Sequence, residues 1–342
     1  MVLTVFIVLI LCILLFDLLF VGKEQHVLSF KEAATWTFVW VFVAFGFYLF
    51  ILFFGEKIHG ITDYASLQRF REMYAPYLNF SGTDFQADLA VYRKAISTEY
   101  LTGYLMEYTL SIDNIFVIML ILSSFRVSEK YYKEVLFWGI LGAIILRFFF
   151  IFVGSALIVR FDWILYIFGG FLLYSGIKLL FEKEKEQIDI EKHKLVKFIS
   201  KIFPTHKNYV DGRFFTRIDH KTFITPLFIV VVFIEFTDLV FAFDSIPAIF
   251  SVTRDPYVVF FSNIFAIIGL RSLFFFLSKI VNMFRFLKFG ISVLLIFIAI
   301  KLIFHKYMYA IGFKTEYSLY FILGVLICSV LASVLIKEKK KQ

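Results

Sequence analysis

Nine apolar runs, each close to the length that a helix needs to cross a bilayer, constrain this sequence more than any other feature. The hydrocarbon core of a bilayer takes about 20 apolar residues of α-helix. With 342 residues, of which 61% are hydrophobic and 18% charged, the chain is not a single soluble enzyme domain, a disordered chain or a collagen-like fibre. We predict an all-α fold, a polytopic transmembrane helix bundle of about nine spans. The runs cover residues 2–21, 33–54, 98–122, 135–157, 163–180, 226–251, 257–277, 286–300 and 319–336.

Basic residues are distributed unequally between alternate loops. With nine spans, the loops on one side hold more than twice as many Lys and Arg residues as those on the other. Cytoplasmic loops carry this excess, so we predict the N-terminus outside and the C-terminus in the cytoplasm. The net charge of +8 then reflects orientation, and no nucleic-acid partner is expected. The first run has neither a basic flank before it nor a small-residue cleavage site after it, which favours a retained helix over a signal peptide.

The runs and the charged stretches divide the chain into six expected segments. A solvated linker is the favoured interpretation of the mixed-charge stretch between the fifth and sixth runs, over a regulatory module. The segments are 1–54 with two N-terminal spans, 55–97 outside the membrane, 98–180 as a first three-helix unit, 181–222 as a charged cytoplasmic linker, 223–301 as a second three-helix unit, and 302–342 with the last span and a basic tail.

The two three-helix units repeat one another. MEYT from Met106 matches IEFT from Ile234, and DNI from Asp113 matches DSI from Asp244. In the following spans five residues, including Arg147 and Arg271, match at a constant offset of 124. A unit of three spans is odd, so its second copy must enter the membrane from the opposite side. Inverted three-helix repeats are typical of transporters, whose substrate site lies near the midplane where the copies meet.

Five acidic residues stand out within the predicted spans: Glu107, Asp113, Glu235, Asp238 and Asp244. A carboxylate at the bilayer centre costs at least about 2.5 kcal/mol, so each must face a polar interior, pair with a cation or be protonated. Helical spacing joins the first of them to two neutral polar residues, Ser111 and Asn114, in one stripe. Glu235 and Asp238, three residues apart, share a face of the sixth span.

Pro247 predicts that the sixth span is interrupted. Proline lacks an N–H group and biases the residue before it away from helical geometry. A broken helix at membrane depth exposes carbonyl oxygens to an ion, so Asp244, Ser245 and the carbonyl group of Phe243 are expected to join Glu235. A cluster of carboxylate, amide and hydroxyl oxygens, without His or Cys, favours hard divalent ions such as Mn²⁺, Mg²⁺ or Ca²⁺ over zinc or copper.

A purely structural interpretation stays open beside the ion site. The acids would then neutralise Arg147 and Arg271 in buried pairs that lock the helices together. Five acids exceed these two arginines, which favours an ion site. For the arginines themselves, a structural counter-charge or a gate is favoured over contact with the substrate. Asp17 and Asn263 are also polar residues within spans, and for them the ion-site and the structural interpretations are equally favoured.

Four segments give the chain a family resemblance. The sequence resembles the TerC/Alx family of bacterial integral membrane proteins in YLTGYLMEYTLSIDNIFVIML from Tyr100, VLFWGILGAIILR from Val135, FDWILYIFGGFLLYSGIKL from Phe161 and FIEFTDLVFAFDSIPAIFSVTRDPYVVFFSNIFAIIGLR from Phe233. The resemblance implies a multi-pass inner-membrane protein linked to manganese export and to tellurium resistance, in a superfamily with LysE-type exporters. Where the family usually has Val-Pro after the third span, this chain has Val127 and Ser128.

The resemblance assigns the family's acidic motif to positions that the spans had already singled out. As metal ligands it implies Glu107, Asp113, Asn114, Glu235, Asp238, Asp244 and Ser245. We therefore predict a transporter, and not an enzyme, that exports Mn²⁺ by alternating access in exchange for protons. Mn²⁺ is expected as the transported substrate, with no resident cofactor, and the expected partners are a divalent metal ion and the lipid bilayer. The alternative is a membrane scaffold or assembly factor in metal or tellurite stress resistance.

Overall fold

The computed structural model of the chain is a bundle of α-helices with one small β-hairpin. It describes residues 29–161, 163–181, 203–206, 208–210, 212–218, 221–278, 286–313 and 315–335, together with residues 6, 8 and 10. The helices are α1 (Phe30–Phe54), α2 (Glu56–His59), α3 (Tyr64–Tyr74), α4 (Phe85–Ser124), α5 (Tyr132–Arg160), α6 (Ile164–Phe181), α7 (Pro226–Phe250), α8 (Pro256–Ile268), α9 (Leu270–Ser278), α10 (Leu287–Ile303), α11 (His305–Ala310) and α12 (Thr315–Leu335). Strands β1 (Phe215–Ile218) and β2 (Lys221–Ile224) pair antiparallel, with Phe215 opposite Ile224.

The helices coincide with the predicted spans. Within the described residues six helices are long and apolar enough to cross a membrane, and α8 with α9 make a seventh if the bent pair is one span. An apolar stretch at residues 289–303 of α10 is shorter than a full span. The predicted run at residues 2–21 lies almost entirely outside the described residues. The all-α transmembrane bundle is confirmed, and the number of nine spans stays a prediction.

Polar caps set where the long helices begin. The Asp84 carboxylate accepts a hydrogen bond from the backbone N–H of Gln86 at 2.8 Å, which satisfies one of the free N–H groups at a helix start. As a result α4 begins 13 residues before the apolar run at 98–122 and extends to 40 residues. Asp255 caps α8 in the same way, ahead of Pro256.

Helix α4 is the centre of the bundle. It packs against α1, α7, α8 and α12. In its apolar stretch 69% of the residues are buried, compared with 17% in the apolar stretch of α1. The outward side chains of α1, such as Phe38 and Phe42, are more than two-thirds exposed. Apolar side chains that no described residue covers are suited to contact with lipid tails. The polar residues of α4 are therefore held in the interior.

The helix pairs follow the pattern that the predicted repeat requires. The first helix of each three-helix unit, α4 or α7, packs against the first helix of the other unit and also against the other unit's second helix, α8 or α5. The third helices, α6 and α10, pack against each other, where Gly169 and Gly176 leave room for Ile303 and Ile296. A two-fold relation between the units produces such pairs. The inverted repeat itself stays a prediction.

The predicted interruption at Pro247 is wrong. Helix α7 continues through Pro247 to Phe250, because the proline lies in the last turn, where only one backbone hydrogen bond is lost and little helix remains to be displaced. The break occurs instead at Gly269, where α8 and α9 meet at 41°. The ligand role expected for the Phe243 carbonyl group depended on a break at Pro247, and α7 is continuous there.

The stretch at 55–97 is folded against the ends of the spans. The Arg93 guanidinium donates a hydrogen bond to the Glu56 carboxylate at 2.7 Å. Partial burial raises the pKa of Glu56, but this bond and the charge of Arg93 outweigh it and leave that pKa below its usual value. Deeper in the same region, the two ring nitrogens of His59 lie 2.6 Å from the Tyr92 hydroxyl and 2.9 Å from the Asp255 carboxylate.

The β-hairpin joins the second three-helix unit to the end of the first. Residues 182–202 of the predicted linker lie outside the described part of the chain. In the remainder, the Tyr209 hydroxyl donates a hydrogen bond to the Phe125 carbonyl at 2.7 Å, just past the end of α4. The Thr225 hydroxyl donates to the Arg213 carbonyl at 2.6 Å. The hairpin therefore packs at the end of the bundle where α4 ends and α7 begins.

Candidate functional site

Arg147, in the middle of α5, is the centre of a buried polar cluster. Arg147 is 1% exposed. Its guanidinium donates hydrogen bonds to side chains of three other helices. Nη1 donates to Oδ1 of Asn263 at 2.7 Å and to Glu107. Nη2 donates to Oδ1 of Asp238 at 3.2 Å. A cation that would be costly in hydrocarbon is thus surrounded by oxygen atoms.

Glu107 contributes from α4 and is fully buried. Its Oε1 accepts hydrogen bonds from Arg147 and, at 3.2 Å, from the Ser111 hydroxyl. Glu107 and Ser111 therefore contact each other, as the polar stripe predicted on this helix requires. The second oxygen, Oε2, is buried and has no hydrogen-bond partner among the described residues.

Asp238 and Ser245 contribute from α7. The Ser245 hydroxyl lies 3.4 Å from Nη1 of Arg147, a long contact that is weak as a hydrogen bond. Oδ2 of Asp238 is buried and, within the described chain, has no hydrogen-bond partner. Residues of the two predicted copies therefore meet at one arginine.

Asn263, on α8, is a partner that the predicted ligand set omits. Its Nδ2 donates to the Val259 carbonyl at 2.9 Å, which turns Oδ1 towards Arg147. The residue is fully buried. The sequence does mark Asn263, since a carboxamide inside an apolar run needs hydrogen-bond partners. It does not show which residue that partner is.

Glu235 lies on α7, one helical turn before Asp238, and is in different surroundings. Both of its carboxylate oxygens are buried without a hydrogen-bond partner in the described structure. The carboxylate fits against α5 only because residue 142 is glycine: a Cβ atom there would overlap it. The carboxylate of Asp238 adds a repulsive charge nearby.

Of the four other predicted site residues, the structure places Asn114 and Arg271 and does not describe the side chains of the other two. Asn114 is buried two turns beyond Glu107 on α4. Arg271 is 4% exposed and lies on α9, beyond the bend at Gly269. The side chains of Asp113 and Asp244 lie outside the described part of the structure, so their roles as ligands stay predictions.

A ready-made metal site is not among the described residues. Within them, no group of three or more His, Cys, Asp or Glu side chains is arranged to hold a metal ion. The reason is visible at Arg147, whose guanidinium lies between Glu107 and Asp238. Glu107 and Asp238 each pair with this guanidinium, as the structural interpretation expects, and each keeps a second oxygen that has no hydrogen-bond partner among the described residues. Glu235 makes no such pair in the described structure.

A sixth intramembrane acid, Glu99, was missed by the sequence argument although it lies within the run at 98–122. It is 2% exposed, and within the described structure its Oε1 has no hydrogen-bond partner. Near it a cavity of about 600 Å³ opens between α4, the end of α7 and α10, lined by Thr98, Thr253 and Lys301 among others.

Comparison with known proteins identifies the family. Residues 92–341 match the model of the integral membrane protein TerC family. The chain belongs to the TerC family. The matched range contains every residue of the Arg147 cluster, and the resemblance expected from the four segments is confirmed.

Several relatives match over most of the chain. It is 37% identical to the uncharacterized membrane protein STKORF319 of Myxococcus xanthus over 98% of this chain and 92% of that one. It is 36% identical to Alx of Escherichia coli (strain K12), described as a membrane-bound redox modulator, over 87% of this chain and 84% of that one. An uncharacterized membrane protein of Rickettsia bellii is 37% identical over 98% of this chain and 97% of its own length. No solved structure matches.

Proposed function

We propose that this TerC-family protein exports divalent metal cations, with Mn²⁺ as the preferred ion, by alternating access through its intramembrane carboxylates. The protein would work in the bacterial inner membrane with its N-terminus outside and its C-terminus in the cytoplasm. No covalent step on a substrate is part of this proposal.

The observation that carries the proposal is a set of buried carboxylate oxygens that have no hydrogen-bond partner among the described residues. They are both oxygens of Glu235, Oε2 of Glu107 and Oδ2 of Asp238. Buried ionised groups are retained only where they are paired or coordinate a cation, and such residues inside spans mark ion pathways. A cluster that served structure alone would leave fewer oxygens free.

The type of oxygen supports a hard divalent cation. Glu107, Asp238, Asn263 and Ser245 present carboxylate, amide and hydroxyl oxygens around Arg147. Oxygen ligands suit Mn²⁺, Mg²⁺ and Ca²⁺, and Mg²⁺ gives up its water least readily of the three. Mn²⁺ over the others is proposed from the family resemblance.

The positions of the acids support alternating access. Glu107 lies midway along the apolar run of α4, and Glu235 and Asp238 lie near the middle of α7. Transporters with inverted repeats bind their substrate near the midplane, between the copies. A carboxylate that releases an ion can take up a proton, so the return step is proposed to carry protons.

Reconstitution in liposomes tests the proposal. Efflux of Mn²⁺ should be saturable in the wild type and at least about tenfold slower in Glu107→Gln, Glu235→Gln and Asp238→Asn, since each variant removes a negative charge on which ion binding depends, and a tenfold change corresponds to about 1.4 kcal/mol. Glu316→Gln is the control, because Glu316 pairs with Lys94 at 3.5 Å near the cavity and away from Arg147. Undiminished efflux in all three site variants would remove the proposed function.

The scaffold alternative predicts the opposite results for the same purified protein. A scaffold binds no Mn²⁺ saturably, and substitution of Arg147 or Arg271 removes partner proteins that copurify with the wild type. A flat Mn²⁺ titration together with such a loss would favour the scaffold.

A further inference from the structure

The guanidinium of Arg147 occupies the place where the described oxygen atoms converge. Its two terminal nitrogens contact Glu107, Asp238, Asn263 and, at longer distance, Ser245. These side chains come from α4, α7 and α8, so helices of both three-helix units meet at one positive charge. All four groups offer oxygen.

The same oxygens are those that a hard divalent cation would use. Two carboxylates, an amide oxygen and a hydroxyl oxygen match the ligands of Mn²⁺ or Ca²⁺. The guanidinium and a metal ion are both cations, and they cannot contact Oε1 of Glu107 and Oδ1 of Asp238 at the same time without strong repulsion. An ion bound at the second oxygens of the same two carboxylates would also repel the guanidinium, so ion binding favours its departure.

The attachment of Arg147 permits it to leave. Its contacts are made at the guanidinium tips, whereas its Nε is buried with no hydrogen-bond partner in the described residues. A second acceptor lies close by, since Glu235 is on α7 three residues before Asp238 and both of its oxygens are free of hydrogen bonds in the described structure. Gly142, five residues before Arg147 on α5, provides the space that Glu235 occupies.

We propose that Arg147 is a tethered cation that alternates with the transported metal ion at the Glu107 and Asp238 oxygens, and that it pairs with Glu235 while the ion is bound. The inference rests on the proposed function and specifies how the empty carrier is stabilised. With the ion gone, the arginine pairs with both carboxylates and offsets one of their two negative charges, and the protons proposed for the return step offset the rest, so the empty site carries less unpaired charge in the bilayer. The arginine thereby makes the return of the empty carrier possible.

A fixed structural role for Arg147 leads to different measurements. If it only joins the helices, its removal weakens the fold and the ion site together. If it competes with the ion, its removal strengthens ion binding, because the apparent dissociation constant falls when the competing state is lost. Removal also makes the folded protein depend on the ion, since a ligand that binds only the native state stabilises it.

The experiment compares net efflux with exchange. Full-length wild type, Arg147→Gln and the control Arg271→Gln are reconstituted in liposomes, and Mn²⁺ binding is measured in detergent by calorimetry. For Arg147→Gln we expect at least a tenfold lower dissociation constant for Mn²⁺, at least a tenfold slower net efflux, and one-for-one Mn²⁺/Mn²⁺ exchange within twofold of wild type. Exchange is spared because it never requires the empty carrier to return. Arg271→Gln should not separate the two fluxes.

Each other outcome has a meaning. Unchanged or weaker Mn²⁺ binding in Arg147→Gln, or equal losses of net efflux and exchange, overturns the inference while leaving the proposed function intact. A wild type that neither binds nor moves Mn²⁺ overturns both. If Arg147→Gln does not fold without metal, purification in Mn²⁺ should rescue it, and failure of that rescue counts against the inference. Arg147→Lys, which keeps the charge, should retain more than half of the net efflux.

Discussion

Glu107 and Glu235 occupy matching motifs in the two units of this protein, yet they have different surroundings. Glu107 is fully buried and accepts hydrogen bonds from Arg147 and Ser111 through Oε1. Both oxygens of Glu235 are buried without such a partner in the described structure. The side chains opposite them differ in the same sense, since Asn263 on α8 faces the Glu107 cluster, whereas Gly142 on α5 faces Glu235.

The difference between the two glutamates teaches how a symmetric motif becomes an asymmetric site. At the repeat offset of 124, Asn263 corresponds to Gly139, and Gly142 corresponds to Ala266. The helix of the first unit, α5, is continuous through Arg147, but its counterpart bends by 41° at Gly269, just before Arg271. One glutamate therefore pairs with a cation, and the other has no hydrogen-bond partner among the described residues.

The largest effect is expected from Glu107→Gln. Removing one partner of a buried ion pair should lower the free energy of unfolding by about 3 kcal/mol, because Arg147 loses a charged acceptor at its shortest contact. Unfolding in mixed dodecylmaltoside and SDS micelles measures this change. A loss no larger than that of the exposed control Glu316→Gln would contradict the pairing.

Glu235→Gln should shift stability in the opposite direction. An uncharged amide avoids part of the cost of burying an unpaired carboxylate, so we expect about 2 kcal/mol of stabilisation. Mn²⁺ efflux should nevertheless fall. The same SDS titration and the liposome assay measure the two quantities. If this variant is less stable than wild type, Glu235 has a stabilising partner and the contrast with Glu107 disappears.

Gly142→Ala tests the space beside Glu235. The added Cβ would overlap the Glu235 carboxylate. Because this carboxylate is the flexible end of its side chain and can turn aside, we expect the free energy of unfolding to change by less than about 1 kcal/mol, with reduced efflux. Gly170→Ala on α6 is the matched control, because a Cβ there meets nothing within 4 Å. Equal effects of the two substitutions would show that the space at Gly142 is not specific to Glu235.

Ser245→Ala should have the smallest effect. The contact from Arg147 to its hydroxyl is long, at 3.4 Å, and a weak hydrogen bond contributes about 0.5 kcal/mol. Efflux and the dissociation constant for Mn²⁺ should therefore change by about twofold or less. A tenfold effect would instead identify Ser245 as a principal ligand.

Much of this architecture could be predicted from the chain because the bilayer leaves few alternatives. A run of apolar residues must form a helix in hydrocarbon, since every backbone polar group has to be satisfied internally. For that reason the eight predicted runs beyond the first coincide with described helices, and the family resemblance is confirmed. The acids at 107, 235 and 238 stood out for a related reason, namely the cost of charge inside a span.

Local rules failed where the effect depends on position within an element. Proline suggested a break at Pro247, but the last turn of α7 tolerates it, and the bend occurs at Gly269. Glu99 lies in the predicted run at 98–122 and was not among the acids singled out there, whereas the structure buries it within α4. Neither outcome can be read from periodicity alone.

The membrane location, the helices and the cost of the buried acids follow from side-chain chemistry along the chain, because transfer into hydrocarbon acts on each residue separately. Which acid meets which cation is a different kind of question. Arg147 contacts Glu107, Asp238 and Asn263, at sequence separations of 40, 91 and 116 residues, whereas Glu235 lies against Gly142 and has no hydrogen-bond partner in the described structure. Those pairings depend on how helices pack side by side, and that packing is a property of all the spans together.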